Sequence, residues 1–550
     1  MRTTIGAALV VGLAACNPVT LKPAEDGGTC GRGLRCSGGY TPIVESVAAV
    51  DLLVVVDNSG SMAAPQAKLA ASFDVLLERL QDSKLDLDLR IAFTTTDQGN
   101  PLCPGSDPER GELVLSSCLD RVEAGEFVFD GVDPAVDGSF ACTDACSLSD
   151  AALTIQPTAT YDLEPRPRRW VELAGGTTNL PEGVDLAEAL ACFAPQGIAG
   201  CGFESQLESM FQALHKSDDP ESPNARFLRP NAILAIVFLT DEVDCSYNPA
   251  HEAVFLSEKA LWSDPDAALP SSAMCWRAGV ECLGDPAGYE GCASANVGVD
   301  AALGVDGDDA VLQPMARYLE MIELLENERR EFNTYGAKVL ISVIGGVPQD
   351  YGGEGLIYSA VGDQDHLDEF GVDPGCVDIS GNPALPPVRL RELGDAQRVD
   401  DRSDLFSICA PDYGPALSAI GDRIMAEIQP ACMPGCVADV DRTTEIVDGV
   451  ECSLVDVNVL LGEKNELPRC EGEPEAPTPP EGEASCWFPL VDRGGQTPTP
   501  ADDMSPGCVD DGWNLEFGFV RQEPKPGYIE TDVVCVLSDL PELDCPDLQF

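Results

Sequence analysis

The sequence has few basic residues and very few histidines. Lysine and arginine together number 33 against 94 aspartates and glutamates, which gives a formal net charge of −61. A surface this acidic repels phosphate backbones, so we do not expect binding to nucleic acid. The three histidines, His215, His251 and His366, leave little material for imidazole-based zinc sites or for a serine-histidine-aspartate triad.

Several catalytic motifs are also missing from the sequence. It contains no Gly-Lys dipeptide, which excludes a Walker-type phosphate loop. His251-Glu252 is not followed by a second histidine at the spacing of zinc metalloproteases, and no serine lies in a nucleophile-elbow pattern. We therefore expect a protein that is not an enzyme. The alternative is a hydrolase sited in a stretch over residues 98–170 or 245–312. Paired carboxylates for glycoside hydrolysis also stay open, since 94 acidic residues could supply such a pair by chance.

Long apolar runs are absent after the N-terminus, where no segment approaches 18 uninterrupted apolar residues. Residues 1–15 contain a basic residue, Arg2, followed by an apolar run, and this pattern predicts an export signal. Leu13-Ala14-Ala15-Cys16 resembles the lipobox of bacterial lipoproteins, in which cleavage precedes the cysteine and its sulfur is lipidated. The alternative is an ordinary signal peptide with Cys16 as an incidental thiol. We predict a lipid-anchored protein of the bacterial cell envelope, at the outer membrane or the cell surface.

The cysteine count agrees with export. There are 23 cysteines, and lipidation of Cys16 would leave 22, an even number that can pair as disulfides in an oxidising compartment. Cys142 and Cys146, like Cys432 and Cys436, form tight pairs without the partner pair or histidines of a zinc site. We therefore predict disulfides rather than zinc ligands at these positions.

The order of apolar and polar segments predicts a doubly wound α/β fold of the Rossmann type. Residues 17–49 are rich in glycine and proline and predict a tether, after which Leu52–Val56 is a continuous apolar run typical of a buried parallel strand. Strands and amphipathic helices then alternate through residues 50–430, which favours a mostly parallel sheet. Cysteine-bearing stretches near residues 98–170 and 245–312 predict disulfide-rich insertions, and residues 431–550 predict a small, β-rich, cysteine-rich domain.

Asp57, Ser59 and Ser61 lie where the first buried strand turns into a helix. Ligands of open α/β sheets collect at the carboxyl ends of the strands, and oxygen-only ligands suit Mg²⁺. Asp241 ends a second apolar strand and should lie at the same edge. By itself the loop is also compatible with a simple helix N-cap.

The Asp57-x-Ser59-x-Ser61 loop together with Asp241 resembles the von Willebrand factor type A domain over residues 50–430. In that family the loop, a threonine and a later aspartate hold Mg²⁺ or Mn²⁺ at a metal-ion-dependent adhesion site, and a carboxylate of the partner takes the vacant position. The resemblance thus implies a metal site at Asp57, Ser59, Ser61 and Asp241. It also implies a protein or matrix partner that offers a carboxylate.

The threonine of this resemblance has two possible positions. Thr178, in Gly175-Gly176-Thr177-Thr178, looks like the family's threonine loop, but the family places that loop directly before the helix that precedes the Asp241 strand. Here that place is occupied by residues 197–204, which contain no hydroxyl. Either a helix over Leu186–Phe193 is inserted after Thr178, or the threonine is missing and water or Glu204 replaces it. Thr178 is the predicted ligand.

A narrower resemblance concerns Gly200-Cys201-Gly202-Phe203-Glu204 and the segment from Thr240 to Ser246, which are similar to exported, cysteine-rich type A lipoproteins of bacteria. We expect Glu242 and Asp244 to be solvated loop carboxylates, although they could add charge to the cation site. Asp306-Gly307-Asp308-Asp309 predicts a turn, with a weak Ca²⁺ site as the alternative.

The predicted function is that of a lipid-anchored adhesion protein, which captures a carboxylate-bearing ligand through a Mg²⁺-dependent site. The alternative from another class is a structural envelope protein that uses the fold as a scaffold.

Overall fold

The computed structural model describes residues 41–546 except for 44–47, 82–86, 159–164, 175, 230–231, 333–338, 354–355, 399–402, 429–430, 434, 441–448, 459–461, 473–475, 493–501, 506–507, 510–511 and 522–528. The predicted signal peptide, Cys16 and most of the predicted tether lie outside the described residues. No helix within the described ranges is both long enough and apolar enough to cross a bilayer.

Strands and helices alternate through the first three quarters of the chain, and strands dominate the rest. The strands are β1 (Thr41–Ile43), β2 (Ala48–Val56), β3 (Leu87–Thr95), β4 (Val128–Phe129), β5 (Val136–Asp137), β6 (Val171–Ala174), β7 (Thr177–Thr178), β8 (Ile233–Leu239), β9 (Val280–Asp285), β10 (Gly288–Ser294), β11 (Leu340–Gly345), β12 (Cys376–Val377), β13 (Pro383–Ala384), β14 (Leu405–Ser407), β15 (Cys452–Asn458), β16 (Glu463–Leu467), β17 (Ser485–Leu490), β18 (Glu516–Arg521) and β19 (Ile529–Cys535). The helices are α1 (Ala63–Ala70), α2 (Phe73–Gln81), α3 (Cys118–Ala124), α4 (Phe140–Thr143), α5 (Leu186–Phe193), α6 (Gln206–Ser217), α7 (Ala273–Gly279), α8 (Met315–Phe332), α9 (Gln364–Phe370), α10 (Val388–Ala396), α11 (Gly414–Glu427) and α12 (Pro541–Asp544).

A seven-stranded sheet in the order β14-β11-β8-β2-β3-β6-β7 forms the centre of the fold. The five strands from β14 to β3 are parallel, and β6 and β7 extend the edge in antiparallel pairing. The predicted mixed α/β fold with a mostly parallel sheet is therefore confirmed. Because β2 and β8 are neighbours, their carboxyl ends lie side by side.

Both faces of the sheet are buried against helices. Along β2, Val50, Leu52, Val54 and Val56 contribute to one core cluster, which also contains residues of α1, α2, α5 and α11. Leu53 and Val55 contribute to the opposite cluster with residues of α6, α8 and α10. Alternate residues of a strand point to opposite faces, so a strand covered on both sides is apolar throughout. This explains the continuous apolar run in the sequence.

Disulfides and short elements occupy the two predicted insertions. The first contains α3, β4, β5 and α4, and the second contains α7 and the β9–β10 hairpin. A third such stretch, which the sequence did not indicate, lies between β11 and β14 and contains α9, the β12–β13 hairpin and α10. Residues of the second and third stretches share one apolar core, which includes Trp262, Trp276 and Val372.

The predicted disulfides are present in the described part of the chain, and each of the two tight cysteine pairs bonds outward rather than internally. The bonded pairs are Cys103–Cys201, Cys118–Cys142, Cys146–Cys192, Cys245–Cys275, Cys282–Cys292, Cys376–Cys409, Cys432–Cys508, Cys436–Cys545, Cys452–Cys535 and Cys470–Cys486. This density of disulfides is typical of proteins outside the cytoplasm.

The C-terminal region has its own sheet and core. Its four-stranded antiparallel sheet has the order β1-β19-β15-β16, and β17 pairs with β18 in a separate ribbon. Trp487, Phe517 and Val533 belong to a core cluster of this region. Thr41–Ile43 was predicted to be part of a tether, but these residues form β1, which pairs with β19 as an edge strand of the C-terminal sheet.

Candidate metal centre

The first loop of the candidate site follows β2. The backbone N–H of Asp57 donates to the carbonyl of Leu239, which fastens the loop to the end of β8 at 2.9 Å. The N–H of Ser59 donates to Oδ1 of Asp57 at 2.8 Å, and the Oγ atoms of Ser59 and Ser61 are 3.3 Å apart. Asp57 and Ser59 are buried, and Ser61 is exposed. The loop thus holds one carboxylate and two hydroxyls close together at the sheet edge.

The second loop follows β8 and is joined to the first by side chains. The hydroxyl of Thr240 donates to Oδ2 of Asp57 at 2.7 Å, and Ser61 is close enough to Asp241 to lower the pKa of its carboxyl. Asp241 is only 7% exposed, and its Oδ1 atom is buried without a hydrogen-bond partner among the described residues. The structure therefore brings Asp57, Ser59, Ser61 and Asp241 together.

Thr178 lies elsewhere, so the prediction that it joins this site is wrong. It pairs with Leu173 on β6, Leu173 pairs with Leu89 on β3, and Leu89 pairs with Val50 on β2. Val50 lies six residues before Val56, the last residue of β2, and this spacing corresponds to about 20 Å along a strand. The strand β6 runs antiparallel and carries the chain to the far edge of the sheet, which separates Thr178 from Asp57.

A third loop, residues 197–205, takes the place that the threonine would occupy. The N–H of Gly200 donates to the carbonyl of Asn58 at 2.9 Å, and the N–H of Cys245 donates to the carbonyl of Glu204 at 2.6 Å. A side chain at Gly200 would collide with Asn58, because an added Cβ would lie 2.3 Å from its Oδ1 atom. This loop therefore lies against both the Asp57 loop and the loop that follows β8, and it carries Glu204, which is buried.

Burial and mutual repulsion raise the pKa values of the acids at this edge. Burial raises the pKa of Asp57, although hydrogen bonds from Thr240 and Ser59 partly lower it. Burial and the carboxyl of Asp57 raise the pKa of Asp241 to about 7. Burial and the neighbouring acids raise the pKa values of Glu204 and Glu242 well above the usual value.

This arrangement fits a hard divalent cation. The donors are carboxylate and hydroxyl oxygens, which are the ligands that Mg²⁺, Mn²⁺ and Ca²⁺ prefer. Asp241 Oδ1 and Glu242 Oε2 are buried atoms without hydrogen-bond partners in the described part of the chain. Unpaired buried acceptors and crowded carboxyls are costly in a protein without a cation, and a bound cation would offset both costs.

Asp244 has a structural role instead of being solvated as predicted. It is buried and forms an ion pair with Arg389, with 2.9 Å between Arg389 Nε and Asp244 Oδ2. Its Oδ1 atom accepts hydrogen bonds from the hydroxyl of Ser246 and the N–H of Leu207. Asp244 therefore positions the start of α6 beside the site. No local pattern indicates this pairing, since Asp244 and Arg389 are far apart in the chain.

One other predicted feature lies outside the centre. Gly307–Asp309 forms a short 3₁₀ turn, and Asp306, Asp308 and Asp309 are exposed. The β12–β13 hairpin, in contrast, reaches the site, because the N–H of Leu385 donates to the carbonyl of Asp241 at 2.8 Å. The sequence did not indicate this contact.

Comparison with known proteins finds distant structural likeness. The pilus adhesin SpaC from Lactobacillus rhamnosus GG, in an open conformation, matches 90% of this chain and 39% of its own, at 9% identity and a TM-score of 0.27. A second structure of SpaC matches 90% and 40%, at 7% identity and a TM-score of 0.26. A von Willebrand factor type A protein from Catenulispora acidiphila matches 90% of this chain and 58% of its own, at 10% identity and a TM-score of 0.24.

The chain thus spans about two fifths of the adhesin and less than two thirds of the type A protein. No protein-family model and no curated protein matches the sequence. Because the TM-scores are low, the candidate site rests on the geometry of this chain alone.

Proposed function

We propose that this protein is a binding protein of the bacterial cell envelope, which captures a partner through a divalent cation held at the ends of β2 and β8. The observation that carries the proposal is the junction of the two loops by the Thr240–Asp57 hydrogen bond, beside the buried Asp241 Oδ1 atom that has no hydrogen-bond partner among the described residues. Asp57, Ser59, Ser61 and Asp241 would hold Mg²⁺ or Mn²⁺ through oxygen atoms. The exposure of Ser61 leaves one side of the loop open to a partner.

The chemistry of the partner follows from the cation. A hard divalent cation with an open coordination position attracts oxygen donors, and a carboxylate of a protein or matrix ligand is the strongest of these in solution. Lipidation at Cys16 would hold the protein on the membrane at the outer membrane or the cell surface. The partner would then be met outside the cytoplasm, where the disulfides are stable.

The test is capture of immobilised peptides that differ only in one aspartate or asparagine, measured in Mg²⁺ and in EDTA. We expect the aspartate peptides alone to be captured, only in Mg²⁺, and not by the Asp57→Ala variant. Capture that persists in EDTA and in Asp57→Ala would contradict the proposal. It would favour a structural envelope protein whose C-terminal region makes the contacts.

A further inference from the structure

We infer that Glu204 is a cation ligand of this site and occupies the position that the type A resemblance gives to a threonine. The inference rests on the cation site of the proposed function and adds a third carboxylate loop to it. Three observations support it, namely the placement of the loop, the lack of serine and threonine in residues 197–204, and the buried, unpartnered oxygens around Glu204.

The backbone places Glu204 between the two established loops. The N–H of Ser205 donates to the carbonyl of Thr96 at 2.9 Å, and Thr96 in turn donates its N–H to the carbonyl of Val56 at 3.1 Å, directly before Asp57. On the other side, the N–H of Cys245 donates to the carbonyl of Glu204. The Cys103–Cys201 disulfide joins this loop to the first insertion. Glu204 is therefore held from both sides, and its side chain is only 2% exposed.

Residues 197–204 contain no serine or threonine, so this stretch offers no hydroxyl for the role of a threonine. Ser205 follows Glu204 directly, and its hydroxyl donates to the carbonyl of Cys245 at 3.0 Å, which ties the end of the loop to the segment after β8. The carboxylate of Glu204 is thus the charged side-chain oxygen donor that residues 197–204 can supply to a cation.

The surroundings of Glu204 are suited to a cation and unsuited to an isolated carboxylate. Besides burial, the charges of Asp57, Glu242 and Asp241 raise the pKa of Glu204, so these four carboxyls interact with one another. Asp241, itself nine-tenths buried, has an unpartnered Oδ1 atom in the same group. Thr96 Oγ1, fully buried beside Asp57, also has no hydrogen-bond partner within the described residues. A divalent cation among these atoms would give partners to oxygens that otherwise lack them.

Replacement of a neutral hydroxyl by a carboxylate changes what the site can do. A third carboxylate adds one negative charge beside the cation, so the protein should hold the cation tightly before any partner arrives. It also favours Ca²⁺ relative to a site with a hydroxyl, because Ca²⁺ accepts more carboxylate ligands and tolerates less regular geometry than Mg²⁺.

The experiment is calorimetric titration of the full chain with Mg²⁺, Mn²⁺ and Ca²⁺ after treatment with EDTA, for the wild type, Glu204→Gln and Glu204→Ala. We expect the affinity for each cation to fall at least tenfold in Glu204→Gln and further in Glu204→Ala. The melting temperature in EDTA should stay the same or rise, because the substitution removes a buried acid. Glu326→Gln is the matched control. Glu326 is buried, and it accepts a hydrogen bond from the N–H of Val339 directly before β11, at the amino-terminal ends of the parallel strands and away from the site.

The outcomes separate this inference from the proposed function. If the wild type binds no cation, the proposed function itself fails. If the wild type binds and Glu204→Gln binds equally well, the site stands and the inference is wrong. A clear fall in melting temperature for Glu204→Gln in EDTA, or an equal loss of affinity in Glu326→Gln, would assign Glu204 a structural role and overturn the inference.

Discussion

The hydroxyl of Thr240 donates a 2.7 Å hydrogen bond to Oδ2 of Asp57, and it thereby joins the ends of two neighbouring parallel strands. The bond lies among buried atoms, and Thr240 Oγ1 also accepts from the N–H of Glu242 at 3.2 Å. It stabilises the ionised form of Asp57 against the cost of burial. A carboxylate kept ionised in this way is ready to receive a cation.

Removal of this bond should weaken the cation site without removing a ligand. Thr240→Val keeps the shape of the side chain and removes the hydroxyl, so the pKa of Asp57 should rise further and protons should compete better with the cation. We expect Mg²⁺ affinity to fall by about tenfold at pH 6 and by less at pH 8, since protons are scarcer there. Calorimetric titrations at the two pH values check this, and an equal loss at both would contradict it.

The stability of the cation-free protein should fall as pH rises. The folded pKa of Asp241 is about 7, above the usual value of 3.8, so the native state binds the proton more tightly than the unfolded chain does. The contribution of protonated Asp241 to the free energy of unfolding is therefore fully present below the unfolded pKa and is lost as pH rises through the folded pKa. We expect a higher melting temperature in EDTA at pH 5 than at pH 8.

The matched variant for this effect is Asp241→Asn, which cannot titrate. It should reduce the dependence of melting temperature on pH between 5 and 8, while the general repulsion of the acidic surface remains. Differential scanning fluorimetry in EDTA measures both proteins. An identical pH dependence in wild type and Asp241→Asn would show that Asp241 is not responsible.

Two hydroxyl substitutions should behave in opposite ways. Ser61→Ala removes a hydroxyl beside Asp241 and should weaken Mg²⁺ binding by about tenfold. Thr178→Ala should leave the affinity within twofold of wild type, because β7 lies at the far edge of the sheet. Calorimetry of both variants checks this, and a large loss in Thr178→Ala would mean that Thr178 contributes to the site after all.

A buried ion pair at the start of β2 should stabilise the sheet without affecting the cation. Arg229 Nε lies 2.8 Å from Asp51 Oδ1, and both side chains are buried. Asp51→Asn removes one negative charge beside the buried Arg229 guanidinium, so we expect the free energy of unfolding of the sheet to fall by about 3 kcal/mol. Hydrogen exchange of the β2 amides in EDTA measures the loss. Cation affinity should be unchanged, and a parallel loss of affinity would indicate that Asp51 influences the site.

The sequence predicts the central sheet well, because a continuous apolar run identifies a buried strand and the polar residues after it mark the end of that strand. The apolar runs that end at Asp57 and Asp241 are buried parallel strands, and the carboxyl ends of neighbouring parallel strands meet at one edge. The sequence also predicts that helices alternate with these strands, and β2 is followed by two helices, α1 and α2, with the Ser72 hydroxyl donating to the carbonyl of Lys68 at the junction between them.

Features that depend on long-range contacts were not predictable from the sequence. Thr178 has the local appearance of a ligand loop, but its position follows from the antiparallel pairing of the four-residue strand β6. In the sequence Asp244 resembles a surface acid, but in the structure it pairs with Arg389 of α10. Such pairings depend on how distant segments pack, which a local pattern does not encode.

The most direct test of the cation site is calorimetric titration of Mg²⁺ into the full chain and into Asp57→Ala, after removal of metal with EDTA. We expect saturable binding of one Mg²⁺ per wild-type chain at the β2–β8 edge and no measurable heat of binding in Asp57→Ala. Equal binding by both proteins, or no binding by the wild type, would contradict it.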